Sequence, residues 1–542
     1  MKRAIGIFVV ISILSILILT GCSSAPQSEN AHTLRIGWMS EPDTLNPLVS
    51  YSTESMQITG LVYESLIAYD TDLEPYCRLA ESYEYSDDRL VATYHLRHGV
   101  KWHDGEDFNA DDVVMSFNML RDYRLGTAAP FVGALEDTVA VDEYTVEVHY
   151  SEKQAFNLAA AILILPEHIW GGMSLEDVAL FANSEPIGTG PMRFADWTEG
   201  TTITLSRNED YYGTPAGPGR IVFVQYGNED VMAQALKSGE IDIVTEISPT
   251  VWEGLEGVEN IKTVELNSFS FHEIGINSNE SSSSKGNPML RDLAVRQALN
   301  YIADRGKIIE IALAGHGELG DTIIPVGMGD WHYSVPVSDQ MNGDIEKART
   351  ILEQAGYVDS NGDGIREKDG RDMDFRLFAI ESTTVDVRAA QIFRDAALEA
   401  GVKITLTTMD ENTMGNAIFD TENSDFDLFV WGWDTNVMDP GDLLSIPVSD
   451  QIGNNNDVYY VDAAYDELYE MQSKEIDDDA RKQLCHELQK KFYQDGSYIV
   501  LWFQNKLQAY RTDTWIGWVE CDGGVIYNVT YDNYTAVQPV SG

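Results

Sequence analysis

The sequence predicts a large, folded protein of mixed α/β class that contains several domains. With 542 residues, the chain is long enough for about two to four domains. Hydrophobic residues make up 44% of the chain and aromatic residues 10%, which supports large packed cores and argues against disorder. Segments with the apolar alternation of a strand and segments with helical spacing occur along the same chain. This mixture predicts helices that pack on sheets.

Residues 1–22 have the features of an export signal. Two basic residues start it, residues 4–19 are almost continuously apolar, and this run is somewhat short for a membrane span. The tetrapeptide LTGC at 19–22 resembles the lipobox of exported lipoproteins, in which the cysteine, here Cys22, is acylated and becomes the first residue. The alternative is a plain secretory signal with an incidental cysteine. Residues 23–32 are expected to form a flexible tether.

The most informative segment follows at Tyr94–Asn118. The alternation at 92–97 predicts a strand, and the residues from Trp102 to Gly105 predict a turn. Asn109 then has the character of a helix N-cap, because acidic residues occupy the first turn that would follow it. Apolar residues recur after it at helical spacing, namely Val113, Phe117 and Leu120. The segment therefore predicts a strand, a turn and a capped helix.

This segment also resembles a known family. The run LRHGVKWHDGEDFNADDVVMSF at 96–117 resembles the signature of the family 5 extracellular solute-binding proteins, which serve peptide, nickel and related ABC importers. Further matches follow in the family's order. They lie at 34–48, 61–70, 165–170, 186–191, 207–212, 236–243 and 292–305. The segment at 61–70 is predicted to be a helix that runs into a turn. The resemblance covers nearly the whole mature chain and leaves no segment for an added catalytic domain.

The resemblance implies a two-lobed, periplasmic-binding-protein-like clamp of the class with an extra inserted domain. A polar, Ser-rich stretch at 279–287 is the best candidate for a boundary between domains. The expected division is signal peptide 1–22, tether 23–32, lobe I 33–69, inserted domain 70–186, lobe I again 187–279, lobe II 280–504 and a return to lobe I at 505–542.

A candidate ligand site lies at 426–444, where a buried strand is followed by aromatic and acidic residues. This segment resembles the Gly-Trp loop that lines the family's cleft. In peptide-binding members, an aspartate three residues after the tryptophan pairs with the peptide's α-ammonium, and this sequence has Asn436 there. The candidate contacts are Trp431, Trp433, Asp434, Asn436 and Asp439. Both tryptophans would share a face of a regular strand, which leaves core and cleft open for Trp431 unless Gly432 breaks the pleat. The family match favours the cleft for Trp433.

Other combinations of residues are weaker candidates for chemistry. His95, His98, His103 and Asp104 are close in sequence, but they lie inside the signature segment, which favours structural roles. The stretch at 359–364 imitates the start of a calcium loop, yet the twelfth position of that loop is a glycine, so a turn is expected instead. No metal or cofactor is expected.

Three cysteines follow the signal peptide, namely Cys77, Cys485 and Cys521, and their spacing suggests neither a metal site nor a redox pair. One disulfide with a free thiol, or three separate thiols, are both compatible with this number. The common catalytic motifs of hydrolases, nucleotide-binding enzymes and metalloproteases are absent from the sequence, so the chain is not expected to be an enzyme.

The net charge of the chain limits the classes of partner that it can bind. The formal net charge is -52, from 36 Lys and Arg against 88 Asp and Glu, which disfavours nucleic acid and anionic membrane surfaces. The export signal, the lipobox and the family resemblance together imply an exported, lipid-anchored monomer on the outer face of the cytoplasmic membrane, periplasmic or extracellular. It would capture oligopeptide-type solutes and deliver them to ABC permease subunits. The alternatives are an oligosaccharide-binding subunit, an extracellular hydrolase and a receptor that feeds a sensor.

Overall fold

The computed structural model describes residues 33–50, 52–71, 74–125, 129–435, 437–526 and 532–540. The predicted signal peptide with Cys22, the predicted tether and Asn436 lie outside these described residues. The strands are β1 Thr33–Trp38, β2 Ile67–Tyr69, β3 Pro75–Cys77, β4 Ala80–Tyr85, β5 Val91–Leu96, β6 Leu135–Asp142, β7 Thr145–Tyr150, β8 Met192–Thr198, β9 Thr202–Arg207, β10 Arg220–Gln225, β11 Ile243–Val244, β12 Ile261–Ile276, β13 Glu318–Leu319, β14 Glu367–Lys368, β15 Arg371–Asp372, β16 Asp374–Ile380, β17 Lys403–Met409, β18 Leu428–Asp434, β19 Tyr498–Arg511, β20 Trp515–Ile516 and β21 Gln538–Pro539.

Helices alternate with these strands. The α-helices are α1 Thr53–Val62, α2 Ala110–Tyr123, α3 Glu167–Trp170, α4 Leu175–Leu180, α5 Glu229–Ser238, α6 Pro249–Glu253, α7 Leu293–Ile302, α8 Arg305–Ala312, α9 Ile345–Gln354, α10 Thr384–Glu399, α11 Glu411–Ile418, α12 Pro440–Ser445, α13 Ala463–Lys474, α14 Asp478–Asp495 and α15 Asp532–Ala536. None of the helices in the described part of the chain combines the length and the apolar character that crossing a membrane requires.

The largest sheet in the described residues has 11 strands in the order β17-β16-β18-β12-β19-β11-β1-β10-β9-β8, with β13 paired to β19. Two long antiparallel strands, β12 with 16 residues and β19 with 14, run through its centre. Strand β12 pairs with β18 over residues 270–276, and the sheet continues from β18 to β16 and β17. Near its carboxyl end, β19 pairs with β11, and the sheet continues from β11 to β1, β10, β9 and β8. The fold is therefore the expected two-lobed α/β clamp.

The pairing of the two long strands is interrupted where they pass from one half of the sheet to the other. The ladder between β12 and β19 is regular up to Asn267 and resumes at Phe271 with a shifted register. A shift of this kind leaves residues without a ladder partner and bends the strands locally. The shift adjoins the residue where β12 begins to pair with β18, Ser270.

A separate four-stranded sheet, in the order β4-β5-β7-β6, packs with α2 and holds the signature segment. Asn109 caps α2 as predicted, because its side chain accepts a hydrogen bond from the backbone N–H of Asp111 at 2.8 Å. Val113, Phe117 and Leu120 are buried on one face of the helix, which is also as predicted. The signature is thus the core of this smaller unit, and the predicted domain division stays a prediction.

The predicted helix at 61–70 is wrong. Helix α1 ends at Val62, and Ile67–Tyr69 is a strand that pairs with Pro75–Cys77. Short apolar runs fit both periods, and here pairing with a later segment decides the outcome. The three cysteines in the described ranges are free thiols.

Candidate ligand-binding cleft

The candidate site lies at the end of β18, beside the crossing between the lobes. Strand β18 pairs without interruption along β12, from Leu428 opposite Ile276 to Asp434 opposite Ser270. Gly432 therefore does not break the pleat. A Cβ atom at this glycine would lie 2.8 Å from the backbone oxygen of Phe271, so a side chain there would collide with the neighbouring strand.

Trp431 and Trp433 share one face of this strand, as a regular pleat requires. Their rings meet edge to face with centroids 6.0 Å apart, and both side chains are half-buried. Their indole N–H groups donate to the same carboxyl oxygen, Oδ2 of Asp457, at 3.1 Å from Trp431 and 3.2 Å from Trp433. Each indole is thus fixed at its polar edge while part of it stays open to solvent. We call these two side chains the tryptophan pair.

Asp457 is the buried support of the tryptophan pair. It is fully buried, and the hydroxyl of Tyr498 donates to its other oxygen, Oδ1. Burial raises the pKa of Asp457 to about 7. The neighbouring carboxyl of Glu273, opposite Trp431 in the ladder, is also fully buried, and burial and Asp457 raise its pKa well above the usual range. Sequence reasoning missed Asp457, which follows the tryptophan pair by more than twenty residues and has no motif of its own.

Asp434 is the last residue of β18. Its side chain is exposed to solvent. Protein around it nevertheless raises its pKa by desolvation, while Lys506 lowers it and Glu246 raises it. Lys506 Nζ lies 3.2 Å from Glu246 Oε2, and Gln504 donates to Glu246 Oε1 at 3.0 Å. Asp434 is thus a solvent-accessible carboxylate whose electrostatic surroundings include the Glu246–Lys506 ion pair.

Asp439 is held by hydrogen bonds and an ion pair within the protein. Its carboxylate caps α12 by accepting a hydrogen bond from the backbone N–H of Gly441, and it receives two bonds of 2.7 Å from the guanidinium of Arg481. Both side chains are buried. Both oxygens of Asp439 are therefore bonded within the protein, which favours a structural role for this residue over contact with a ligand.

The other sequence candidates have local partners. His103 Nε2 lies 3.0 Å from the backbone oxygen of Gly190, and burial lowers its pKa to about 4. His168 contacts Asp104 at 2.8 Å. Asp359 accepts hydrogen bonds from backbone N–H groups of its own turn. Within the described ranges, no group of three or more histidine, cysteine, aspartate or glutamate side chains is arranged to hold a metal ion.

Comparison with known proteins shows which family the chain belongs to. The model of the bacterial extracellular solute-binding proteins, family 5 Middle, matches residues 74–455. The chain is 28% identical over 534 residues to the oligopeptide-binding protein AppA of Bacillus subtilis. This alignment covers 94% of this chain and 95% of the relative. The structure of that AppA in complex with a nonapeptide has a TM-score of 0.78 at 25% identity, and covers 94% of this chain and 99% of the other. NikZ from Campylobacter jejuni, in complex with Ni(L-His), has the same fold, with a TM-score of 0.79 at 22% identity over 94% and 99% of the two chains.

Proposed function

Because the chain belongs to the family 5 bacterial extracellular solute-binding proteins, we propose that it is the substrate-binding subunit of an ABC importer for oligopeptide-type solutes. The observation that carries this proposal is the cleft itself. A half-buried tryptophan pair and a solvent-exposed carboxylate, Asp434, lie together at the end of β18, beside the register shift between the two long strands. The similarity to AppA over nearly the whole length of both chains supports a peptide as the ligand.

The proposed roles follow from side-chain chemistry. An α-ammonium loses its hydration when the cleft closes, so it needs a charged partner, and Asp434 is in position to supply one. Trp433 offers an aromatic surface for an apolar or ring-shaped part of the ligand. Trp431 stands behind it, against Phe419 and Phe429. Closure of the lobes around the peptide then produces the form that the permease subunits recognise.

Export and anchoring complete the proposal. We infer that residues 1–22 direct export, that Cys22 carries the lipid, and that residues 23–32 tether the clamp to the outer face of the cytoplasmic membrane. The chain would act there as a monomer, as a receptor and not as an enzyme.

A binding experiment with matched variants tests the ligand class. We expect Asp434→Asn to weaken binding of a free-amine peptide by about 1.5–3 kcal/mol, the usual contribution of a hydrogen bond to a charged group, and to spare the amino-acetylated form of the same peptide. Trp433→Ala should weaken binding of both forms. Equal affinity of the wild type for the two forms of the peptide would show that Asp434 does not bind the peptide's ammonium group.

An oligosaccharide is the second candidate, because two adjacent tryptophans would also suit sugar rings. Binding of a β-linked oligosaccharide, with no peptide bound, would replace the peptide proposal.

A further inference from the structure

A histidine lies on the same face of the sheet as Asp434. His272 on β12 is opposite Gly432 on β18. Asp434 comes two residues after Gly432 and is opposite Ser270. Residues two apart in a strand point to the same side, so the side chains of His272 and Asp434 share this face. Diagonal neighbours of this kind lie about 7–8 Å apart, a distance that one small ligand group can span.

The ring of His272 is held on both faces and at one nitrogen. It stacks on the indole of Trp502 in β19, with ring centroids 4.6 Å apart and an angle of 14° between the planes. On the side of β18, a Cβ atom added to Gly432 would come within 3.0 Å of two ring carbons, so the glycine makes room for the ring. Nδ1 lies 2.9 Å from Oδ1 of Asp386, in the first turn of α10. The ring is therefore fixed before any ligand enters.

The partner at Nδ1 determines what the second nitrogen can do. A carboxylate only accepts hydrogen bonds, so Nδ1 carries the proton and donates it to Asp386. In the neutral ring, Nε2 then has a free lone pair and acts as an acceptor. Nε2 makes no hydrogen bond with the described residues, and 18% of the His272 side chain is exposed. Asp386 itself is buried, so it positions the ring and does not reach a ligand.

We infer that Nε2 of His272 accepts a hydrogen bond from a hydroxyl group on the amino-terminal residue of the bound peptide, so that the cleft favours serine or threonine at that position. The inference rests on the proposed function, in which Asp434 binds the α-ammonium. In serine and threonine, only Cα and Cβ separate the hydroxyl from the ammonium nitrogen. A residue bound through its ammonium at Asp434 can therefore direct its hydroxyl to the neighbouring His272.

Desolvation provides the physical reason for the preference. When water leaves the closing cleft, the lone pair of Nε2 loses its hydration and needs a donor. A serine hydroxyl supplies that donor, and an alanine side chain does not. Because the ring is already held by Trp502 and Asp386, little side-chain entropy is lost when the new bond forms.

Three peptides of equal length test this inference by titration calorimetry at pH 7, where an unperturbed imidazole is mostly neutral and an α-ammonium mostly charged. Their first residue is serine, alanine or O-methylserine, and the rest of the sequence is the same. We expect the serine peptide to bind about fivefold more tightly than the alanine peptide, the usual effect of one neutral hydrogen bond. The O-methylserine peptide cannot donate and should bind no more tightly than the alanine peptide. Equal affinity for the serine and alanine peptides would overturn the inference and leave the proposed function standing, whereas failure of all three to bind would count against the proposed function.

Variants assign the preference to His272. His272→Phe keeps a ring against Trp502 but has no nitrogen, so it should bind the serine and alanine peptides equally. His149→Phe is the matched control and should keep the preference, since His149 lies on β7 in the separate four-stranded sheet. A serine preference that persists in His272→Phe would place its origin elsewhere and overturn the inference.

Nitrogen NMR of the wild type with isotope-labelled histidine detects the hydrogen bond directly. We expect the Nδ1-protonated tautomer of His272 in the free protein, and a change in the Nε2 signal on binding of the serine peptide that the alanine peptide does not produce. Asp386→Leu should let the Nε2-protonated tautomer form and should reduce the serine preference, as expected for a positioning residue. The same Nε2 signal with both peptides would overturn the inference.

Discussion

Replacing Asp457 with asparagine tests how the tryptophan pair is supported. The substitution keeps the size of the side chain and one carbonyl oxygen that can accept from both indoles, and it removes the ionisable group. The Tyr498 hydroxyl can then turn to accept from the new amide. We therefore expect Asp457→Asn to fold and to retain the tryptophan pair.

The pH dependence of stability should change in a defined direction. The pKa of Asp457 rises from 3.8 to about 7 in the folded protein, so folded Asp457 holds a proton that the unfolded chain has already released between about pH 4 and pH 7. The wild type therefore loses stability from this group as the pH rises through that window. At about 1.36 kcal/mol per pKa unit, the loss approaches about 4 kcal/mol. Glu273 and Tyr498 face Asp457 and remain in the variant; desolvation, the largest cause of the raised pKa of Glu273, persists there, while the part that comes from the Asp457 charge is lost.

Urea unfolding of the wild type and Asp457→Asn, followed by tryptophan fluorescence from pH 4.5 to pH 8, measures this difference. We expect the variant to gain stability relative to the wild type as the pH rises, with most of the gain below pH 7. A constant difference across this range would refute the raised pKa. Asp457→Ala is the control for the hydrogen bonds. It leaves buried donors without an acceptor and should destabilise the protein by about 3 kcal/mol at pH 5.

Three further predictions concern the anchor, the cleft loop and the hinge. Cys22→Ser should release the exported protein from the membrane fraction, and a wild type found wholly in the soluble exported fraction would contradict lipidation. Arg481→Met should lower the free energy of unfolding by about 3–5 kcal/mol, because it leaves Asp439 buried without its cation; a thermal unfolding temperature equal to that of the wild type would show that the pair is dispensable. Small-angle scattering should show a smaller radius of gyration with a bound peptide, since the lobes close about the strands between Asn267 and Phe271; an unchanged radius, with binding confirmed separately, would indicate a rigid pocket.

Sequence patterns predicted correctly the elements that depend only on residues close together in the chain. The cap at Asn109 and the apolar face of α2 depend on neighbouring residues, and both appear in the structure. The shared face of Trp431 and Trp433 follows from the period of a strand. The helix predicted at 61–70 failed because pairing with the strand that follows shortly after it, Pro75–Cys77, determines the conformation of Ile67–Tyr69.

The parts of the site that sequence reasoning missed all depend on tertiary contacts. The acceptor for both indoles, Asp457, and the cation for Asp439, Arg481, come from segments well separated from β18 in the chain. Lys506 pairs with Glu246, which lies 260 residues earlier in the chain. With 88 acidic residues in the chain, no sequence pattern singles out these carboxylates.

Mass spectrometry of the ligand that co-purifies with the wild-type protein tests the central claim most directly. Protein released from the membrane fraction of its own host should be analysed first under native conditions and then after denaturation. We expect the native mass to exceed that of the chain, and the released material to fragment as short peptides. Release of an oligosaccharide, with no peptide present, would contradict the claim that this cleft captures peptides.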